Sequence, residues 1–284
     1  VDTETFNAAL TLIRMGLSED LGIAGDVTSA TTIPVSSRVR ARIVAKQAGV
    51  IAGLPLVVGV YAQLDEQVRF YGHVSDGDYV EAGTLVCELE GRTRSILSGE
   101  RTALNFLQQL SGIATLTRQF VQAVSHTQAV ILDTRKTHPG YRLLEKYAVR
   151  LGGACNHRMG LYDAVLIKDN HVDAAGSVTA AITAVRANPI AAGLPVIVEV
   201  RDFAQLDEAL AQGVDRILLD NMDTVQMARA VQVAAGRTRL EASGNMTLAR
   251  VRSVAEAGVD YISVGALTHS APALDLSMRV QALD

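Results

Sequence analysis

Six strand-like runs in the second half of the chain each end in residues that could do chemistry. Asp133-Thr134-Arg135-Lys136 closes the first, and Lys168-Asp169-Asn170-His171 closes the second. Glu199, Asp220-Asn221 and Ser243-Gly244-Asn245 close the next three, and Gly265-Ala266 follows Val264 at the last. The early ends, with Asn156-His157-Arg158 between them, supply Arg135, Lys136, His157, Arg158, Lys168 and His171. Cations gathered at one mouth repel one another unless an anion fills it. Arginine grips a carboxylate bidentately and lysine adds a compact charge, so a small polyanion is implied. Any single cation could instead pair with Asp133, Asp163 or Asp169, but the whole set is harder to absorb that way.

The later ends differ in character. Glu199 and Asp220 end consecutive strands, so their carboxylates should be neighbours. Such a pair suits Mg²⁺ shared with substrate phosphates, or hydrogen bonds to ribose hydroxyls. A general acid and base is the rival reading, and a simple ion pair with a nearby Lys is the structural one. Ser243, Gly244, Asn245, Gly265 and Ala266 are small, so backbone N–H groups could approach a phosphate there. Each glycine alone is equally well explained as a turn.

These residues need a scaffold that brings strand ends together. Short apolar runs at residues 129–133, 164–167, 196–200, 216–219, 239–242 and 261–264 alternate with helical patterns at 177–187, 203–211, 224–234 and 248–257. That alternation signals parallel strands covered by helices. With no GxGxxG after the first strand it favours a β/α barrel, whose active site lies at the C-terminal strand ends. Before it, an opening helix candidate runs through Ala8, Ala9, Leu12, Ile13 and Leu17. Strand-like runs follow at 38–46, 50–52, 68–73 and 79–88, punctuated by glycines, and read as a small α+β sheet domain. The stretch from Val74 to Val86 is similar to the hairpin of biotinyl and lipoyl carriers. It lacks their lysine, because none lies between Lys46 and Lys136. Residues 99–124 turn helical, with Leu104, Leu107, Leu110 and Ile113 as a stripe interrupted by Ser111-Gly112. The expected division is 1–110 as the N-terminal domain and 111–270 as the barrel, with the tail 271–284 returning to the first.

The chain's 284 residues fit a barrel plus a smaller domain. A net charge of -4 gives no basis for a nucleic-acid surface. Two cysteines, Cys87 and Cys155, without a CxxC spacing argue against a disulfide framework or a structural zinc site. The opening residues lack a basic stretch followed by an apolar run, and nothing approaches a membrane span, so a cytoplasmic protein is expected.

The motifs carry a resemblance. Gly99-Glu-Arg-Thr-Ala-Leu-Asn105, Asp133-Thr-Arg-Lys-Thr137, Lys146-Tyr-Ala-Val149, Asn156-His-Arg-Met-Gly-Leu161 and Ile167-Lys-Asp-Asn-His171 resemble the quinolinate phosphoribosyltransferase family. So do Leu219-Asp-Asn221, Ser243-Gly-Asn245 and Val264-Gly-Ala-Leu267, and the likeness runs from Glu19 to Arg279. It implies an incomplete β/α barrel of about six to seven strands behind an N-terminal sheet domain, assembled as a dimer or higher. It implies transfer of phosphoribosyl from phosphoribosyl pyrophosphate to quinolinate with Mg²⁺ and loss of CO₂. Thr134 belongs to the substrate-binding motif; Arg135, His157, Arg158 and Lys168 would surround the two carboxylates. Arg101 would reach in from the partner subunit, and Lys136 would lie toward pyrophosphate. Glu199 and Asp220 would handle ribose hydroxyls and Mg²⁺. Ser243, Gly244, Asn245, Val264, Gly265 and Ala266 would cradle phosphate, with His269 nearby. One departure is His138, where the family more often has an apolar or small residue. Three alternatives stay open: a phosphoribosyltransferase for another ring acid, a lyase using Lys168 or Lys136 as a Schiff-base amine, and a non-catalytic sensor of a small dicarboxylate.

Overall fold

The structure, a computed structural model, describes residues 2–283. It contains two compact units. The first comprises the chain up to Arg118, the segment His138–Gly153 and the chain from Ala271, and the second comprises Gln119–Thr137 and Ala154–Ser270. This division by contacts falls inside a helix, and His138–Gly153 belongs to the first unit.

In the first unit, α1 (Thr3–Leu21) and α2 (Val27–Thr32) precede β1 (Arg38–Ala45), β2 (Gly49–Val50), α3 (Leu54–Leu64) and β3 (Arg69–Gly72). Next come β4 (Tyr79–Val80), β5 (Leu85–Arg92) and the long α4 (Thr93–Val124). Where the pattern predicts one strand over 79–88 there are two, because Gly83 takes a left-handed turn at φ +90° between them. The run from Leu54 is apolar and rich in valine, which mimics a strand, yet Pro55 at its first turn starts a helix. The carrier-like hairpin is structural. Asp76 accepts hydrogen bonds from the N–H groups of Gly53 and Leu54 at 2.9 Å and from Tyr147 Oη at 2.7 Å, fixing the start of α3.

The Ser111-Gly112 break in the α4 stripe also has a cause. Ser111 Oγ accepts from Ala52 N–H at 2.9 Å. A Cβ at Gly112 would lie 2.0 Å from the Pro272 carbonyl oxygen, so only glycine admits the returning chain. That chain ends in β12 (Leu276–Ala282), which pairs antiparallel with β1 from Val39↔Ala282 to Ala45↔Leu276. The resulting sheet has the order β12-β1-β5-β3.

The second unit carries β6 (Val130–Leu132), and α5 (Arg142–Leu151) follows within the first unit. The second unit continues with β7 (Val165–Ile167), α6 (Asp169–Ala175), α7 (Val178–Ala187), β8 (Val196–Val200), α8 (Phe203–Gln212), β9 (Arg216–Asp220) and α9 (Thr224–Ala234). It closes with β10 (Arg239–Ser243), α10 (Leu248–Glu256), β11 (Tyr261–Ser263) and α11 (Ala266–His269). Its six strands run parallel in the order β6-β11-β10-β9-β8-β7. Consecutive strands are neighbours except β6 and β7, which form the two edges, so the barrel stays open there. Cys155 makes a single parallel bridge to Leu132 at the β6 edge. β6 to β9 are built mainly of buried Val, Ile and Leu, as parallel strands under helices must be, whereas β10 and β11 also bury Glu241 and Ser263. Among the described residues no helix is long and apolar enough to cross a membrane.

Candidate active site

The strand ends of the second unit converge on one cavity of about 240 Å³. Its lining includes Thr134, Arg135, Lys136, His157, Arg158, Lys168, Glu199, Asp220 and Ser243, drawn from five strand ends and the loop before β7. That volume lies at the small end for ligand pockets, which suits a compact polar molecule.

The cationic side is held from behind. Asp133 is fully buried and accepts from Asn156 Nδ2 at 2.6 Å and from His157 N–H at 2.8 Å. Asp163 accepts from the N–H groups of Met159 and Gly160 at 2.7 and 2.8 Å, and Arg158 Nη1 donates to Ala164 O at 2.9 Å. Asp169 pairs with Arg201 at 2.7 Å. Asp169 is thus engaged away from the pocket cations, Asp163 also feels the Arg158 charge, and among the described residues no ion pair ties Lys136 or Lys168 to a carboxylate. Burial, and then the neighbouring Arg135, hold the Arg158 guanidinium below its ordinary pKa. Two adjacent guanidiniums in a partly desolvated wall are what a dicarboxylate would stabilise.

His171 departs from the expected cluster. Its Nδ1 accepts from Lys168 N–H at 2.9 Å in a capping arrangement at the start of α6, and it lies along an apolar groove with Val165 and Ile167. It positions Lys168 and does not line the cavity.

Glu199 and Asp220 do face the same cavity. Burial raises the Glu199 carboxyl above its usual range and Asp220 raises it further, while Lys168 and Lys136 pull it down. The four groups therefore share one field across the mouth. Among the described residues no three His, Cys, Asp or Glu form a protein-only metal cage. A carboxylate pair fits Mg²⁺ that takes its remaining ligands from water and substrate phosphates.

Of the small-residue loops, Ser243 lines the cavity, whereas Gly244, Asn245, Val264, Gly265, Ala266 and His269 are not among its lining residues. Gly244 has φ +99°, and a Cβ there would meet Asn221 Oδ1 at 2.1 Å. A Cβ at Gly265 would approach Lys136 Cδ at 3.1 Å and His269 Nε2 at 3.2 Å, so these three residues are neighbours. Thr268 Oγ1 donates to Lys136 O at 2.8 Å, tying α11 to the Lys136 loop. Val264 is buried and its N–H donates to Leu132 O at 2.9 Å, while Ala266 begins α11. Arg101 is exposed on α4 in the first unit.

Four lining residues are absent from the strand-end reading: the apolar Leu166 and Leu218, and the polar Glu241 and Ser263. Glu241 is fully buried on β10. It accepts from Arg216 Nη1 at 2.9 Å and from Ser263 Oγ, and His157 Nε2 lies 3.4 Å away. Burial would raise this carboxyl, but His157, Ser263 and Arg216 outweigh it, leaving Glu241 below the ordinary range. A Glu inside an otherwise apolar parallel strand is the signal that marks it.

An open β/α barrel whose cavity is lined by two guanidiniums and a carboxylate pair is the framework of a barrel enzyme with an anion pocket. The family descriptions "Quinolinate phosphoribosyl transferase, N-terminal domain" and "C-terminal domain" match residues 26–111 and 113–279. The chain belongs to the quinolinate phosphoribosyl transferase family. It is 47% identical over 271 residues to a probable nicotinate-nucleotide pyrophosphorylase [carboxylating] of Synechocystis sp., covering 94% of this chain and 91% of that one. The chloroplastic nicotinate-nucleotide pyrophosphorylase [carboxylating] of Arabidopsis thaliana is 42% identical, with 95% and 82% covered. The crystal structure of NadC from Streptococcus pyogenes superposes with a TM-score of 0.94 at 42% identity, covering 100% of both chains.

Proposed function

We propose that the protein transfers the phosphoribosyl group of phosphoribosyl pyrophosphate to the ring nitrogen of quinolinate, giving nicotinate mononucleotide, pyrophosphate and CO₂ for de novo NAD synthesis. The observation that carries this reading is the Arg135–Arg158 pair facing Glu199 and Asp220 within one cavity. Two guanidiniums match two carboxylates, and two carboxylates match ribose hydroxyls and a metal. Family membership sets aside a Schiff-base lyase and a non-catalytic sensor.

In this reading Arg135, Arg158 and Lys168 orient quinolinate so that its nitrogen addresses the ribose carbon, with Thr134 and His157 beside them. The bond to pyrophosphate lengthens toward an oxocarbenium-like state, as in other sugar transfers. Glu199 and Asp220 hold the ribose side, while Lys136 and His269 offset charge on the leaving pyrophosphate. The loops at Ser243–Asn245 and Val264–Ala266 hold the 5-phosphate. Mg²⁺ held by Glu199 and Asp220 would neutralise phosphate charge. The chain contributes positioning and electrostatic stabilisation, with no covalent enzyme intermediate. Alkylating the ring nitrogen makes a cation that stabilises the electron pair left on the adjacent ring carbon when its carboxylate departs as CO₂. That carbon then takes a proton from water, so decarboxylation needs little acid catalysis.

We also infer a homodimer or higher assembly in which Arg101 of one protomer serves the pocket of the other. Its exposure on α4 supports this. The free cysteines suit a reducing cytoplasm. The test is pyrophosphate release and nicotinate mononucleotide formation from quinolinate, phosphoribosyl pyrophosphate and Mg²⁺, with nicotinate as control acceptor. No release with both substrates present, or equal use of nicotinate, would overturn the assignment.

A further inference from the structure

Behind the phosphate side of the cavity sits a residue with no assigned role. Arg250 lies in the first turn of α10, and its planar guanidinium reaches two loops at once. Nη1 donates to Gly244 O at 2.8 Å, and Nη2 donates to Met222 O at 2.9 Å. The first carbonyl belongs to the loop after β10 and the second to the loop after β9. Among the described residues Arg250 makes no ion pair, and both of its terminal nitrogens donate to these carbonyls.

These loops need such a clamp. Asn221, Gly244 and Asn245 all have left-handed backbones, at φ 53°, 99° and 49°, a region that costs non-glycine residues free energy. The loops already touch, since Asn221 N–H donates to Ser243 O at 3.1 Å. The Met222–Asp223 peptide is fixed on its other side, where Asp223 N–H donates to Gln226 Oε1 at 3.0 Å. Arg250 thereby couples Gly244 to the Met222–Asp223 peptide that leads into α9. In a trans peptide the C=O and the following N–H point in opposite directions. Holding the Gly244 carbonyl from behind therefore turns the Asn245 N–H away from Arg250. Among the described residues the N–H groups of Gly244 and Asn245 donate to no other group of the chain.

We propose that Arg250 is a positioning residue. It locks the two loops so that the Gly244 and Asn245 N–H groups are presented to phosphate oxygens of the phosphoribosyl donor. This rests on the function proposed above and extends it to a residue that need not touch substrate. An arginine fork spans both carbonyls, whereas a lysine ammonium is a single point and can hold only one well.

The test is steady-state kinetics of wild type, Arg250→Ala and Arg250→Lys. For Arg250→Ala the KM for phosphoribosyl pyrophosphate should rise about tenfold, or about 1.4 kcal/mol. The KM for quinolinate should stay within about twofold, since quinolinate binds the opposite wall. Arg250→Lys should fall between, and it carries the test if the alanine variant does not fold. Added guanidinium ion at millimolar concentration should recover part of the Arg250→Ala loss, where matched NaCl should not. Titration with ribose 5-phosphate should show the same order of weakening without turnover. An unchanged donor KM overturns the proposal, and so do parallel rises in both KM values. Wild-type protein inactive on quinolinate would instead overturn the proposed function, so the two failures are separable.

Discussion

Replacing Glu241 by Gln keeps the shape of a buried side chain and removes its charge, so its cost can be worked from the contacts. Arg158 N–H donates to His157 Nδ1 at 2.7 Å, which leaves the ring proton on Nε2, facing Glu241. Arg216 Nη1 can only donate, and Ser263 Oγ donates here but could turn to accept. A Gln has one acceptor and one donor to offer these partners. If its oxygen faces Arg216, its NH₂ opposes the His157 N–H; if reversed, it opposes the guanidinium. One charge-assisted bond is lost either way, worth about 1.5–3 kcal/mol, and one buried donor is left facing another. A fully buried broken ion pair costs about 3–5 kcal/mol. The Arg216 side chain is 23% exposed and can turn partly to water, so about 3 kcal/mol is expected. For a domain of this size that lowers the melting temperature by about 6–10 °C, read by calorimetry at pH 7.

The pH dependence gives a second readout. Because Glu241 lies below its unfolded value near about 4.3, its stabilisation is full above that value and is lost as pH falls through the folded one. The gap between wild type and Glu241→Gln should therefore hold from neutral pH to about pH 4 and then close. A variant melting within a degree of wild type at pH 7, or a gap that closes already near neutrality, would refute the network as described.

Arg135→Ala or Arg158→Ala should raise the quinolinate KM by about 100-fold or more while the donor KM moves little, consistent with losing a charged hydrogen-bonding partner; equal loss of both affinities would remove the pocket assignment. In Asp220→Asn the Glu199 carboxyl loses a like charge and should titrate at lower pH, followed by carboxyl ¹³C shifts; an unmoved or raised midpoint contradicts the shared field. Gly112→Ala sets a Cβ against the Pro272 carbonyl and Ala273 Cα, both backbone atoms, and should cost about 2 kcal/mol while accelerating amide exchange in β12; unchanged exchange there would show that the returning chain does not depend on that contact. Mixing Arg101→Ala chains with Lys168→Ala chains should restore activity in mixed dimers, and no recovery after verified exchange would place Arg101 outside the shared site.

The barrel was legible because parallel strands buried on both faces must be apolar, so polar clusters mark where each strand emerges. That rule located Lys168, Glu199, Asp220 and Ser243, all lining the cavity. It failed at His171, because a strand end is also a helix start and the same side chain can cap the next helix. In the first unit the sequence reading assigns no element to Leu54–Leu64, where the valine-rich run of α3 hides its helical period. It also said nothing of the cavity floor, although the means were at hand. Side chains two places apart on a strand share a face, so each strand-end residue has a companion beneath it. Leu166 lies below Lys168, Leu218 below Asp220 and Glu241 below Ser243, and all six line the cavity. The floor is therefore apolar under the Lys168–Asp220 side and charged under Ser243 and beside Ser263 and His157. Leu or Val at position 241 would satisfy an inward strand position better than a carboxylate that needs three donors. A buried charge retained at such a position reports on what the cavity must hold still, here His157 and, through its ring, the backbone of Arg158.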